Sequence, residues 1–381
     1  MFMIEKRKAI IIRGSSLDRE TRATKIIKTL TDNNYDVHLL WWDRGLNIQR
    51  SERREAGTQF SETVFNFRAP WGPKSLILLP FWWAFIFFNL LIKEWDIVHA
   101  IQIISLPPAI FAGKIKRKPV LYDMLDTYED SIFLPKNIRN FCVIIDKIFM
   151  RLANAVILAD EEQINEINGV PNNNVEFIYD SPMTDAEIRG KKGQNKIFTL
   201  FFAGSLQSGK YLNLDKIFEA LEHLKDVRAI IAGYGDLVTY IMDVEKRMPE
   251  KVKYIGEISH AEVLQRSSDA DLLFMLRDPV LPVNKYICGS KILESMMCGT
   301  AIIVNNGSST ANIVGRTNCG FIVDAHNVEE IASVINKLKN NPEMCKQIGH
   351  NGRKAFDKTY SWDIMSKRLL TLYEKILTRN T

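Results

Sequence analysis

The stretch ICGSKILESMMCGTAIIVNN, from Ile287 to Asn306, decides the fold of this 381-residue chain. Ser290 is of a type preferred at a helix N-cap, where its hydroxyl accepts a bond from an N–H that the first turn leaves unsatisfied. Gly299 tolerates the left-handed backbone that ends helices, and the Ala301–Val304 run behind it is apolar and β-branched, the composition of a strand buried on both faces. A helix delivered straight into such a strand is one step of a doubly wound α/β sheet. Lys291 falls in the first turn of the helix, and Glu294 three residues later shares its face. That pair suits a cation on a nucleotide's phosphates and a carboxylate on its ribose hydroxyls. The plainer alternative is an exposed helix ion pair, worth only a few tenths of a kcal/mol.

The same alternation runs outward. Short β-rich runs at Phe198–Ala203, Arg228–Ala232, Lys253–Ile255 and Asp271–Met275 precede the stretch, and Gly320–Val323 follows it. An earlier set at Ala9–Ile12, Val37–Leu40, Ile97–Ala100, Val120–Tyr122 and Ala155–Leu158 predicts a second sheet. Between the two sets, SPMTDAEIRGKKGQNK (Ser181 to Lys196) is polar and charged and holds Gly190 and Gly193, the composition of a linker. The expected organisation is therefore α/β, with one Rossmann-like doubly wound domain over 1–182, a linker over 183–196 and a second such domain over 197–360. Carboxyl ends of strands form the ligand-binding rim of each such sheet, and two rims facing each other would make a cleft. From Trp362 to Leu377 the apolar residues Ile364, Met365, Leu369, Leu372, Tyr373 and Ile376 need a packing partner, so the 361–381 helix is expected to cross back to the first domain.

Apolar residues at 46% and charged residues at 25% are the usage of an ordinary globular protein and exclude disorder and fibres. The net charge of +5 is unevenly placed: residues 1–154 carry 23 basic against 16 acidic side chains. Such a front half attracts nucleic acid or anionic lipid, and the apolar pattern below favours lipid over nucleic acid. Five cysteines, Cys142, Cys288, Cys298, Cys319 and Cys345, without any C-x-x-C spacing argue against a disulfide framework and a thiolate zinc site and suit a reducing cytosol. The opening MFMIEKRKAIIIRG is too short in apolar residues for a secretion signal and leads into the first strand. Asp269-Ala270-Asp271 has D-x-D spacing, but it precedes a buried strand without nearby partners and reads as a helix-to-strand turn, so no metal is expected.

From Leu76 to Ile92 the chain reads LILLPFWWAFIFFNLLI, without a charge between Lys74 and Lys93. The part after Pro80 would make a helix roughly 18 Å long, short of a hydrocarbon core of about 30 Å. A crossing would also separate strands that belong to one sheet. The segment therefore reads as a Trp- and Phe-rich helix lying in a membrane interface, or as a helix buried in the core. Lys114, Lys116, Arg117 and Lys118 in the nearby KIKRKP stretch supply cations for anionic lipids, or form a solvated loop.

Two further strand-to-helix turns carry candidate chemistry. KAIIIRG ends in Gly14 and Ser15, small residues that leave backbone N–H groups free for a phosphate or merely turn the chain. FTLFFAGSLQSGKYL runs into Gly204 and then Gly209 and Lys210, where a lysine either neutralises a diphosphate or sits solvated at the surface.

These blocks, together with WDIVHAIQIISLPPAIFAGKIKRKPVLYDMLD, IIAGYGD, YIGEIS and SKILESMMCGTAIIV, resemble the family 4 retaining glycosyltransferases from about Ala9 to the final helix. The resemblance implies a GT-B fold of two Rossmann-like domains, an interdomain active site and metal-independent sugar transfer from a UDP- or GDP-linked sugar. It implies that Lys210 and Lys291 bind the donor diphosphate and Glu294 the ribose, with Gly14, Ser15, Gly204, Gly233 and Ser290 completing the donor set. The apolar segment adds a lipid-linked or membrane-proximal glycan acceptor and attachment to the cytoplasmic face of a membrane. In the family's first domain a His commonly follows the Tyr-Asp of a strand end, where this chain has Leu125. His99 keeps one family position while its usual His-Asp followers are Ile101 and Gln102, and Tyr286 stands where relatives often carry a second Glu. His99 and Asp126 are the remaining catalytic candidates, and Asp126 either orients an acceptor hydroxyl or caps the next helix. The rivals are a non-catalytic subunit of the same fold and a sugar-nucleotide 2-epimerase; the Leu76–Ile92 segment counts against the second.

Overall fold

The computed structural model describes residues 6–15, 22–45, 59–69, 73–125, 136–183 and 197–379, without the side chains of 73, 74 and 136–142. The chain forms two compact units, one of Met1–Tyr179 with Met365–Thr381 and the other of Asp180–Ile364. The expected 183–196 linker lies, apart from Met183, outside the described residues.

The first unit holds β1 (Arg7–Arg13), β2 (Tyr35–Asp43), β3 (Ser61–Asn66), β4 (Ile97–Ile101), β5 (Val120–Met124), β6 (Ala155–Leu158) and β7 (Val175–Phe177), in the order 3-2-1-4-5-6-7. The second holds β8 (Phe198–Ser205), β9 (Val227–Tyr234), β10 (Val252–Tyr254), β11 (Leu272–Met275), β12 (Ala301–Asn305) and β13 (Gly320–Val323), in the order 10-9-8-11-12-13. Every pairing is parallel. The strands read from the sequence are all present, joined by two more at sheet edges, β3 and β7. Burial on both faces explains their unbroken apolar runs: Ala9, Ile10, Ile11 and Ile12 of β1 are all enclosed. Strand order reverses between β1 and β4 and again between β8 and β11, and the carboxyl ends beside such a reversal are where these sheets bind ligands.

One face of the first sheet is covered by α2 (Leu79–Ile92), α3 (Leu106–Lys116) and α4 (Lys136–Leu152), whose Trp82, Ile86, Leu90, Leu106, Ile110 and Met150 pack on Ile10, Ile12, Val98, Ala100, Tyr122 and Val156. Each such buried side chain contributes about 1.5–3 kcal/mol. The other face meets α1 (Arg22–Asp32) and the Trp362–Thr378 helix, whose Tyr373 stands edge-on to Tyr35 at 5.7 Å.

Pro80 lies in the first turn of α2, where its missing N–H costs nothing, and a 3-10 turn over Pro73–Leu78 leads in. The helical run from Ser75 to Ile92 is long and apolar enough to cross a membrane by length and composition. It lies along the sheet instead, because β3 before it and β4 after it belong to that sheet and Trp82, Ile86 and Leu90, four residues apart, are buried in its core. Phe81, Phe88 and Ile92 face away and are exposed.

Candidate active site

The site begins where the Ser290–Cys298 helix begins. Its N-cap is Gly289 and not Ser290, which is the exposed first helical residue. A Cβ on Gly289 would lie 2.6 Å from Met275 Sδ and 3.7 Å from Arg277 Nη1, so a larger residue there would require the Met275 side chain at the end of β11 to move. No side chain caps the helix, which leaves its N-terminal N–H groups and positive dipole end open to an anion. Gly299 closes the other end in the left-handed conformation, with φ of 59°.

Lys291 Nζ donates to Glu294 Oε2 at 2.8 Å, and the two side chains are only 18% and 5% exposed, so this is not a solvated helix ion pair. His260 Nε2 stands 3.7 Å from the other Glu294 oxygen. Burial alone would raise the Glu294 carboxyl, but the Lys291 ammonium and His260 outweigh it and hold it at about 2. The Lys291 stem crosses the end of β8, where a Cβ on Gly204 would be 3.5 Å from its Cε. Gly204 pairs with Gly233, whose φ of +135° and a Cβ position 1.8 Å from Gly204 O admit only glycine. The fold thus brings Gly204, Gly233, Ser290, Lys291 and Glu294 to one rim.

Lys210 ends the Ser208–Lys210 turn and is tied to the residues after β11: Asn284 Nδ2 donates to Lys210 O at 3.1 Å and to Asp278 O at 2.9 Å, and Asp278 N donates to Tyr211 O at 3.0 Å. Arg277 immediately follows Leu276 on this path, at the switch point of the sheet. Burial lowers the Lys210 ammonium, and the neighbouring Arg277 charge lowers it further; burial likewise lowers Arg277. Among the described residues neither cation has a carboxylate partner. Two like charges held together without a counterion, beside an uncapped helix N-terminus, make a site for a polyanion. Sequence reasoning missed Arg277, whose only signal was its place as the first charged residue after an apolar strand, and His260, which reaches Glu294 through tertiary packing alone.

In the first unit, Gly14 follows β1 and serves packing: a Cβ there would lie 2.1 Å from Ile104 Cδ1. Its carbonyl accepts from Arg44 Nε at 3.0 Å, and Ser15 Oγ accepts from Arg13 Nε at 2.9 Å. His99, the other catalytic candidate of this unit, lies inside the fold. Lying between Val98 and Ala100, it alternates to the α1 face of the sheet, where it is fully enclosed. Its Nε2 meets Asp123 Oδ2 at 3.1 Å, its Nδ1 meets the Tyr373 hydroxyl at 2.8 Å, and Arg22 Nε donates to the same Asp123 oxygen at 2.8 Å. Burial raises the Asp123 carboxyl, and Arg22 and His99 together bring it below the usual carboxylate range. Asp126 lies outside the described residues. Gln102, the residue after β4, has a φ of +62°, a conformation uncommon for a residue with a side chain. Among the described residues no three His, Cys, Asp or Glu side chains gather as metal ligands, and Asp271 of the D-x-D spacing accepts from Thr199 N at 2.8 Å.

Two Rossmann-like units of this strand order make an α/β protein of GT-B type. Its structure is similar to that of Anabaena Alr3699/HepE in complex with UDP, with a TM-score of 0.73 at 16% identity over 97% of this chain and 100% of that one. Residues 184–355 match the family described as glycosyl transferases group 1. Among sequences, the chain is 25% identical over 151 residues to the MMP alpha-(1->4)-mannosyltransferase of Mycolicibacterium hassiacum, covering 36% of this chain and 37% of that protein. It is 25% identical over 218 residues to the capsular polysaccharide biosynthesis glycosyltransferase CapM of Staphylococcus aureus, covering 48% of this chain and 57% of that one. The chain thus spans between about a third and three fifths of the curated relatives it matches.

Proposed function

We propose that the protein transfers a sugar, with retention and without a metal ion, from a UDP- or GDP-linked donor to a lipid-linked or membrane-proximal glycan acceptor at the cytoplasmic face of a membrane. One observation carries this reading: Lys210, Arg277 and Lys291 gather at the β8/β11 switch point beside an uncapped helix N-terminus, with Glu294 behind Lys291. The cations and helix N–H groups hold the diphosphate, and Glu294 takes the ribose hydroxyls. As the bond from the anomeric carbon to the diphosphate breaks, negative charge grows on the leaving oxygen, and fixed cations stabilise that charge in a partly dehydrated site. The leaving phosphate oxygen then accepts the acceptor proton, with Asp126 proposed to orient the acceptor hydroxyl. Support comes from the UDP bound to the Anabaena neighbour and from the mannosyltransferase and capsular names of the relatives. The exposed Phe81, Phe88 and Ile92 of α2 support docking on a membrane surface.

Titration calorimetry with UDP, GDP, ADP and CDP tests the donor site. UDP or GDP is expected to bind, and Lys291→Ala to weaken it by about a hundredfold, the loss of a charge-assisted contact with its buried partner disturbed. Unchanged affinity in Lys291→Ala removes the residue from the site and the reading with it. A non-catalytic subunit of the same fold is the second reading, favoured by the enclosure of His99; hydrolysis of a nucleotide sugar by the purified chain would exclude it.

A further inference from the structure

The first unit carries a second charged site at the opposite edge of its sheet, where the strands begin. A cavity of about 490 Å³ there is lined by Lys6, Arg7, Lys8, Lys116, Arg117 and Lys118. Two of the lining residues are carboxylates: Lys8 Nζ meets Glu94 Oε2 at 3.0 Å, and Lys118 Nζ lies 3.7 Å from Asp96 Oδ1. Lys116 donates to Lys93 O at 2.5 Å and Lys118 donates to Trp95 O, which turns both ammoniums inward over the buried Trp95 ring at 6.0 and 5.9 Å. Among the described residues no carboxylate pairs with Lys6, Arg7 or Arg117. Burial and the Lys118 charge both lower the Lys116 ammonium, as expected where cations outnumber their partners. A merely solvated edge would spread such charges apart.

This cavity adjoins an apolar surface wider than α2 alone. Helices α2, α3 and α4 return against the strands, so their C-terminal ends reach the same edge. Ile92 and Ile115 at two of those ends are 82% and 62% exposed, and Phe88 and Phe111 one turn back are 59% and 57% exposed. Phe111 meets Phe149 of α4 edge-on at 6.3 Å, which continues the surface toward the exposed Ile148. Exposed aromatic and branched residues ending on a cationic cavity match the two layers of a bilayer surface, acyl boundary and charged headgroups.

We infer that this cavity seats the phosphate-bearing headgroup of an anionic phospholipid while Phe88, Ile92, Phe111 and Ile115 enter the acyl boundary. The inference rests on the membrane docking proposed above and adds to it a selected lipid charge and a defined seat. Vesicle flotation with phosphatidylcholine alone and with added phosphatidylglycerol tests it on the full chain. The wild type is expected to bind both, with affinity for the anionic vesicles higher by about tenfold or more, at roughly 1 kcal/mol per engaged cation. Lys116→Ala with Arg117→Ala removes that preference and keeps neutral binding, whereas Phe88→Ser with Phe111→Ser loses both; UDP affinity, read in the second unit, reports that each variant is folded. Equal affinity of the wild type for both vesicles, or a preference surviving in the charge variant, overturns the headgroup seat and leaves docking in place. Absence of binding to either vesicle overturns docking itself. Stabilisation by soluble glycerol 3-phosphate without any vesicle preference marks a soluble-anion site and overturns the lipid assignment.

Discussion

The two units each enclose a cluster of charged side chains, and the clusters differ in what balances them. In the first, the Arg22 guanidinium meets the Asp123 carboxylate, and His99 and Tyr373 close round the same oxygen and ring, all of them enclosed. In the second, Glu294 pairs with Lys291, Lys210 and Arg277 have no carboxylate partner among the described residues, and the helix behind them adds a positive dipole end. Charge balanced within the chain holds the chain together, because removing one partner strands the other without water. Charge left in excess at a sheet's ligand-binding rim is a demand for a molecule from outside.

That contrast breaks at specific residues. Asp123→Ala leaves Arg22 buried without its carboxylate and is expected to cost about 3–5 kcal/mol in urea unfolding, with nucleotide affinity of the folded fraction unchanged. A loss below about 1 kcal/mol would show that the first cluster is not what seats the last helix. Glu294 belongs partly to both kinds, being paired and placed at the site. Its folded value of about 2 lies below that of an unfolded glutamate near 4.5, so its stabilisation is full above about pH 4.5 and is lost as the pH falls toward 2. Glu294→Gln should flatten that acid limb by an amount on the order of 3 kcal/mol, read as the difference between unfolding at neutral and at acid pH. Arg277→Ala should weaken nucleoside diphosphate binding by about tenfold, leave nucleoside binding unchanged and leave stability unchanged or improved, since it relieves repulsion with Lys210. Equal losses for nucleoside and diphosphate would place Arg277 away from the phosphates. Ser290→Ala sits at the small end, within about 0.5 kcal/mol in stability, because Gly289 holds the cap position.

The sheets were legible because buried parallel strands announce themselves as unbroken apolar runs, such as Ala9–Ile12 and Ala301–Val304. The strand Ser61–Asn66, reading SETVFN, escaped notice because an edge strand stays half in water and keeps polar residues, and Val175–Phe177 is three residues long. Lys291 and Glu294 were legible as a pair because helical spacing alone puts them on one face. Depth was not: nothing local in VHA says that His99 is sealed under Tyr373, a residue 274 positions away.

The path of the last helix carries a consequence for synthesis. Tyr373, which closes the ring over His99, leaves the ribosome only after the whole of Asp180–Ile364 has been made, a delay of roughly 10 to 40 s at about 5–20 residues per second. Throughout that interval His99 lacks the Tyr373 hydroxyl that it meets in the finished fold. Of the two units, the one whose synthesis starts earlier is thus the one completed later.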